Sequence, residues 1–395
     1  MIDQAHGSER SRPGRLTTVA MSVAAGVAVA NIYYNQPMLG VIEQDLPGPL
    51  TGLIPTATQL GYAAGLFLLV PLGDLIERRR QIVIQFGVLA VALTLAAIAP
   101  TAGLVILASL AVGLAATVAQ QIVPCAADLA APDRRGATVG GVLSGILTGI
   151  LLSRTLAGFV ATQHGWRAMF WLGVPMALAA GALMRAALPR TIPMTQLGYG
   201  QLLASIAELW LLYPALRLAS VTQALIFAAF TVFWTVLAFR LQSPQFELGA
   251  DVAGLFGVVG AVGIFAAPIA GRLADIRGPK PVVVLASVLI LAAWIVFGLW
   301  PTIAGLIVGV VVLDFAAQSA LVSNQSIAFA QDPQARSRLN TVLMGSMFLG
   351  GAFGSAAGSA AWSLGGWRAV AFLGVTLGLA ATAIQCVALG RRARA

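Results

Sequence analysis

Charge is what this chain has least of. Asp, Glu, Lys and Arg make up 9% of its 395 residues, against 59% hydrophobic, where a soluble domain carries about 25% charge. That shortage excludes a soluble globular class. Cysteine is almost absent. Cys125 and Cys386 stand alone in apolar runs, which excludes a disulfide framework and a thiolate metal centre. The only histidines are His6, in a polar N-terminal tail, and His164, read as part of a short loop; both read as solvated. Gly-x-x-x-x-Gly-Lys-Ser/Thr, His-Glu-x-x-His and Gly-x-Ser-x-Gly are all missing. No nucleotide, metal or other cofactor is expected, and neither ATP-driven transport nor these hydrolase chemistries has a site.

Long apolar runs are present instead, such as 88–99, 282–299 and 370–388. With weakly polar flanks each spans a bilayer, since about 20 helical residues cross about 30 Å of hydrocarbon. The first apolar segment begins near Leu16 and runs about 25 residues, longer than the core of a cleavable leader. The hydropathy predicts an all-α membrane protein with twelve spans, near 16–41, 52–73, 81–99, 103–128, 138–162, 167–188, 217–240, 251–273, 281–300, 303–329, 340–362 and 368–389. These group into an N-terminal bundle (16–188) and a C-terminal bundle (217–389) of six helices each, with tails at 1–15 and 390–395. The linker, 189–216, opens with Pro189 and Pro193. Leu202, Leu203, Ile206, Leu209 and Trp210 then recur at helical spacing, which predicts an amphipathic helix on the cytoplasmic surface.

Net charge is +9, which in a soluble protein would suggest nucleic acid. Its distribution points to a membrane instead. Arg10, Arg12 and Arg15, Arg78 to Arg80, Arg134 and Arg135, Arg185 and Arg190, Arg217, Arg272, Arg277, Lys280, Arg336, Arg338 and the C-terminal arginines all fall on one side of the alternating trace. The other side holds Glu43, Asp45, Glu247 and Asp251, with Arg167, Arg240 and Arg368; Glu43 and Asp45, just outside the first span, read as solvated loop charges. By the positive-inside rule both termini are cytoplasmic, in a cytoplasmic (inner) membrane.

The chain also repeats itself. Gly165-Trp166-Arg167-Ala168 returns as Gly366-Trp367-Arg368-Ala369, and the same offset takes Asp74 to Asp275, Pro100-Thr101 to Pro301-Thr302 and Leu172-Gly173-Val174 to Leu373-Gly374-Val375. Two copies of one hydrophobic unit are the layout of a two-lobed transporter. Glycines recur every four residues at Gly141, Gly145 and Gly149, and at Gly350, Gly354 and Gly358. Such stripes let helices approach closely in lipid and are expected to form the seam along which the lobes rock.

The loop Gly271-Arg272-Leu273-Ala274-Asp275-Ile276-Arg277-Gly278-Pro279-Lys280 resembles the loop signature of the major facilitator superfamily. A degraded copy, Val70 to Arg79, keeps Asp74, Arg78 and Arg79. The resemblance covers essentially the whole chain and implies the twelve-helix, two-bundle fold of that family, active as a monomer. It also implies that Asp74, Arg78, Arg79, Gly271, Asp275, Gly278 and Lys280 gate the cytoplasmic end, each loop Asp facing a helix N-terminus of the opposite half, where the helix dipole favours an anion. Asn31-Ile32-Tyr33-Tyr34-Asn35-Gln36-Pro37 and Ser153-Arg154-Thr155 are similar to the bacterial efflux branch, whose members export drugs, sugars or nucleosides by proton antiport. Two markers of drug–proton antiport are altered. Ser109 stands where the fourth-span Arg would fall, and Gly149 to Arg154 replaces the fifth-span Gly-Pro motif.

Asp314 and Arg154 lie deep in the tenth and fifth spans. A charge at that depth is unfavourable by roughly 2.5–3.5 kcal/mol, so each must face a cavity or a partner. An Asp whose partner or hydration changes between two conformations loads and unloads a proton, which makes Asp314 the candidate coupling carboxylate. Arg154 is either its partner or a ligand for an anionic part of the solute. Polar and aromatic stripes add candidate solute contacts: Asn31, Tyr33, Tyr34, Asn35 and Gln36 on the first span; Thr117, Gln120 and Gln121 on the fourth; Gln223, Phe227, Phe230 and Trp234 on the seventh; and Gln318, Asn324 and Gln325 on the tenth. In the family these spans line the central cavity. Pro37 is expected to kink the first span. Several of these candidates stand where the halves differ: Asp314 faces Gly113 across the repeat, and Arg154 faces Ser355. The expected function is secondary active transport of a small molecule with protons, by efflux. Uptake by proton symport is the alternative, and a membrane-embedded enzyme or a channel the reading from another class.

Overall fold

The computed structural model describes residues 15–131, 134–190 and 198–392. Arg10, Arg12, Pro193 and Arg394 lie outside them, as does the side chain of Asp74. Every regular element among the described residues is a helix. Lipid offers backbone groups no partner, and a helix satisfies its own.

The first crossing is α1 (Arg15–Tyr33) and α2 (Asn35–Asp45). Then follow α3 (Ile54–Leu68), α4 (Arg78–Ile98), α5 (Ala102–Ala116) with α6 (Val118–Leu129), α7 (Arg135–His164) and α8 (Trp166–Ala187). The linker contains α9 (Tyr199–Leu212). The second set is α10 (Pro214–Gln242), α11 (Ala250–Gly260) with α12 (Gly263–Arg277), α13 (Pro279–Leu299), α14 (Ile303–Phe329) and α15 (Arg336–Arg392). Among the described residues ten stretches are long and apolar enough to cross a membrane. Two features separate ten from the expected twelve. α15 holds two rods, 336–364 and 367–392, because Gly365 and Gly366 leave helical dihedrals. The span expected at 251–273 is divided at Ala261–Val262, so neither α11 nor α12 is long enough alone.

Repeated residues in the sequence coincide with repeated turns. Thr101 and Thr302 are the N-caps of α5 and α14; their hydroxyls accept from Leu104 N at 3.4 Å and Gly305 N at 3.3 Å. Gly165 and Gly366 reverse the chain with φ of +79° and +58°, where a Cβ would be strained. Packing repeats as well. In the first half α1 lies on α7, α3 on α5 and α4 on α8; in the second, α10 lies on the first rod of α15, α12 on α14 and α13 on α15.

Several expectations are corrected. The first span does not end at 41: the helix continues to Asp45, and its break is at Tyr34, one turn before Pro37. Proline at position 37 has no N–H for the carbonyl four residues earlier, Tyr33, so the ladder opens there. Asp45 is not a free loop charge, since it pairs with Arg167 and accepts from Trp166 Nε1 at 3.0 Å. Arg240 is buried beside Phe246 and Trp367 and donates to Gln245 Oε1 at 2.7 Å. His164 is the last residue of α7, not a loop residue. The glycine stripes do not form the seam between lobes. A Cβ at Gly145 or Gly149 would meet the backbone of Ser22 or Gly26, and one at Gly350 or Gly354 that of Ala224 or Ala228. Each stripe therefore binds helices within its own half, where the small residues sit opposite one another.

The halves meet elsewhere. Gly158 of α7 lies against Ala250 of α11, and Gly254 against the backbone of Arg154 and Thr155. Thr155 Oγ1 donates to Gly254 O, and Asp251 N to Thr162 Oγ1, both at 3.1 Å. Across the repeat, α3 packs on the first rod of α15, with Ser359 Oγ donating to Gly52 O at 2.7 Å and the Tyr62 ring 4.2 Å from that of Phe348. α12 makes no comparable contact with α7. The α7–α11 contact thus closes one side at the end that carries the acidic loops, while α3 and α15 stay together from Gly52 and Ser359 to Phe67, which lies against Gly345. At the basic end α9 also joins the halves. Ile206 and Leu209 pack with Leu216, Leu339 and Leu343 of the second half, while Tyr199 Oη donates to Leu68 O of the first at 2.8 Å.

Candidate functional site

The breaks in α1–α2 and α11–α12 flank one buried cluster at mid-depth. Arg154 projects from α7, 3% exposed, and Asp314 from α14, 6% exposed. The guanidinium carbon of Arg154 lies 3.9 Å from the centre of the Trp234 ring, 4.6 Å from that of Tyr33 and 5.9 Å from that of Phe230. Its Nε donates to Gln36 Oε1 at 3.2 Å. Cation–π contacts of this kind are worth about 2 kcal/mol or more once desolvated. The rings come from α10, one turn apart, and from the last residue of α1. The opened first crossing brings Tyr33 and Gln36 to the same guanidinium.

Asp314 lies beside the edge of the Trp234 ring. A Cβ at Gly260 would sit 3.0 Å from Asp314 Oδ1 and 3.1 Å from Trp234 Cζ2, so only glycine leaves both side chains their places. Asp314 and Arg154 are near enough to interact electrostatically but form no ion pair. Asp314 Oδ2, Arg154 Nη2 and Gln36 Nε2 lack hydrogen-bond partners, and the Trp234 N–H lies toward the Asp314 carboxylate. A cavity of about 60 Å³ separates the two charges, bounded also by Phe227, Phe230, Gly257, Gly263 and Gln318.

Of the residues picked out in the sequence, the structure gathers Tyr33, Gln36, Arg154, Phe227, Phe230, Trp234, Asp314 and Gln318 here. Others are engaged elsewhere. Asn31 Nδ2 donates to Val27 O in its own helix, and Asn35 Nδ2 to Thr58 Oγ1, both at 2.7 Å. Tyr34 is buried beside the break with its hydroxyl unpartnered. Gln120 Nε2 donates to Tyr62 Oη at 3.1 Å, Gln121 Nε2 to Leu69 O at 3.3 Å, and Thr117 Oγ1 to Leu114 O at 2.7 Å. Asn324 Nδ2 donates to Gln223 Oε1 at 3.0 Å, closer to the basic end, where Asn324 shares a second small pocket with Lys280 and Gln385. Gln325 Nε2 reaches Asn340 Oδ1 at 3.4 Å. The sequence reading did not pick out Gly257, Gly260 and Gly263, although glycine at every third position from Gly254 was there to be seen.

At the basic end Arg78 Nη1 lies 2.5 Å from Asp128 Oδ2, and Arg135 Nη2 is 3.7 Å from Asp128 Oδ1. Asp275 and Lys280 are exposed, Arg79 and Gly271 are partly exposed, and Gly278 forms the turn between α12 and α13. Asp275 makes no ion pair among the described residues.

Comparison with known proteins agrees with this architecture. A family model described as Major Facilitator Superfamily matches residues 21–264 and again 218–395. The chain is 42% identical over 365 residues to "Uncharacterized transporter YgaY" of Escherichia coli O157:H7, covering 91% of this chain and 92% of the relative. It is 34% identical over 382 residues to "Probable transporter SCO4007" of Streptomyces coelicolor, covering 94% and 88%. Among solved structures, a D-xylose–proton symporter superposes with a TM-score of 0.72 at 15% identity, over 93% of this chain and 96% of that one.

Proposed function

Because this chain belongs to the Major Facilitator Superfamily, whose members are secondary transporters, we propose that the pocket between Arg154 and Asp314 is the transport site of a proton-coupled carrier of small organic molecules. One observation carries this reading. Asp314 is a buried carboxylate that faces a cavity, with one oxygen unpartnered and no ion pair. A carboxylate so placed has no fixed counter-charge, and its charge follows whatever enters the cavity. Alternating access supplies the change. With α7 packed on α11 at the acidic end and not comparably on α12, the pocket would be reached from the basic end, and rocking the halves about the α3–α15 contact would reverse this.

By the positive-inside rule the basic end is cytoplasmic, so the arrangement is inward-facing, in the inner membrane, with both termini inside. Asp74, Arg78, Arg79, Gly271, Asp275, Gly278 and Lys280 then belong to the cytoplasmic gate, consistent with an Asp275 that is unpaired while that end is apart. Export is the proposed direction, on the efflux-branch resemblance of residues 31–37 and 153–155, with the chain working as a monomer.

A thermal-shift screen of drugs, sugars, nucleosides and amino acids identifies a solute, which is then followed in sealed vesicles. Asp314→Asn is expected to abolish proton-driven accumulation while keeping solute counterflow. Full proton-driven accumulation by that variant excludes Asp314 as the coupling group. Cellular accumulation with and without the gene, and with and without a protonophore, separates export from uptake.

A further inference from the structure

We propose that Arg154 is the anion-recognition residue of the transport site, and that the solute carries a carboxylate on a flat apolar body. This rests on the transport reading above and names its substrate class. The argument is an accounting of hydrogen-bond donors. A guanidinium has five N–H donors, all in its plane. In Arg154 the Nε donor goes to Gln36 Oε1, Nη2 has no acceptor and no carboxylate is within ion-pairing distance. Tyr33, Phe230 and Trp234 offer π-faces to the cation. Ring faces attract the charge but do not replace in-plane acceptors.

One neighbour repeats the pattern. Gln36 Nε2 is a buried donor without an acceptor, and Gln36 touches Arg154, whereas the Trp234 N–H lies toward the Asp314 carboxylate. Two unmet donors, Arg154 Nη2 and Gln36 Nε2, therefore lie together on the Arg154 side of the cavity. A buried donor left unmet is destabilising by about 1–3 kcal/mol. A site with surplus donors is completed by an acceptor-rich group. The cavity beside Arg154 is lined by the guanidinium and by Phe227 and Phe230, so a small anionic group that enters it meets the cation. A planar carboxylate also matches the edge of a guanidinium in a bidentate pair. Beyond it, Phe227 and Phe230 stack with centroids 5.3 Å apart and planes 12° from parallel, and offer an apolar face to a flat body.

The test uses purified full-length protein in lipid nanodiscs. Aromatic carboxylic acids, benzoate and its larger homologues, are titrated beside their primary amides, which keep the shape and lose the charge. Wild type is expected to bind the acids about tenfold or more tighter than the amides. Arg154→Gln should erase that preference, and Arg154→Lys should keep part of it. Equal affinity for acids and amides in the wild type overturns the proposal without any variant, as does an absence of acid binding at millimolar concentration. If Arg154 serves only to neutralise Asp314, the Arg154→Gln, Asp314→Asn double variant regains wild-type solute binding, and this also overturns it. Acid binding in a protein that moves no solute in vesicles leaves this assignment standing and removes the transport reading.

Discussion

Trp234 organises the pocket at the scale of single residues. Its ring carries Arg154 on one face, and its edge lies beside Asp314 and Gly260. Trp234→Phe keeps an aromatic face and removes the N–H. It is expected to lower solute affinity several-fold with little change in melting temperature, read by titration and a thermal-shift assay. Gly260→Ala acts by steric pressure on Asp314 and Trp234. Overpacking of this kind is unfavourable by about 1–3 kcal/mol; solute binding should weaken by about tenfold or more while membrane yield is unchanged. An Ala variant that binds as wild type does would show that the pocket yields there. Arg154, Asp314 and the α10 aromatics were legible in the sequence because a charge or an aromatic stripe in an apolar helix needs a local reason. Gln325 and Gln121 lie on stripes with the same helical period, with Asn324 next to one, yet the structure engages them away from the pocket. Periodicity gives the face of a helix and leaves undetermined which neighbour meets it.

Breaks and stripes act at the scale of whole helices. The opening at Tyr34 brings Tyr33 and Gln36 to one guanidinium. Pro37→Ala restores the donor to Tyr33 O and should close the break. The expected result is a higher melting temperature with lower transport, since the helix gains a hydrogen bond and the pocket loses its geometry. Loss of both together would mean that the break is needed for folding. Gly145→Val addresses the stripes. Its side chain would strike the Ser22 backbone, so α1 and α7 must separate, and a sharp fall in folded protein on size-exclusion chromatography is expected. The sequence disclosed these close contacts, and the repeat suggested a seam between lobes. The partner of each stripe depends on which helices the fold brings together, which glycine spacing alone does not encode.

For the whole molecule, one of the contacts that close the acidic end, that of α7 with α11, rests on small residues. Gly254→Val would press on the backbone of Arg154 and Thr155 without entering the core of either half. It should bias the protein toward the opposite arrangement while leaving its stability almost unchanged. With Cys125 and Cys386 replaced by Ser, Ala250→Cys is expected to be slow to react with a membrane-impermeant maleimide, since Ala250 is buried against Gly158; adding Gly254→Val should make it fast. Equal rates would place the gate elsewhere. The glycine stripes have one more consequence, for how the molecule is made. Because each stripe joins helices of one half, a half carries its own assembly instructions. The gene is therefore expected to tolerate division between codons 190 and 198, with α9 kept on the second piece, and the two polypeptides, translated separately, to find one another in the bilayer and restore a working carrier.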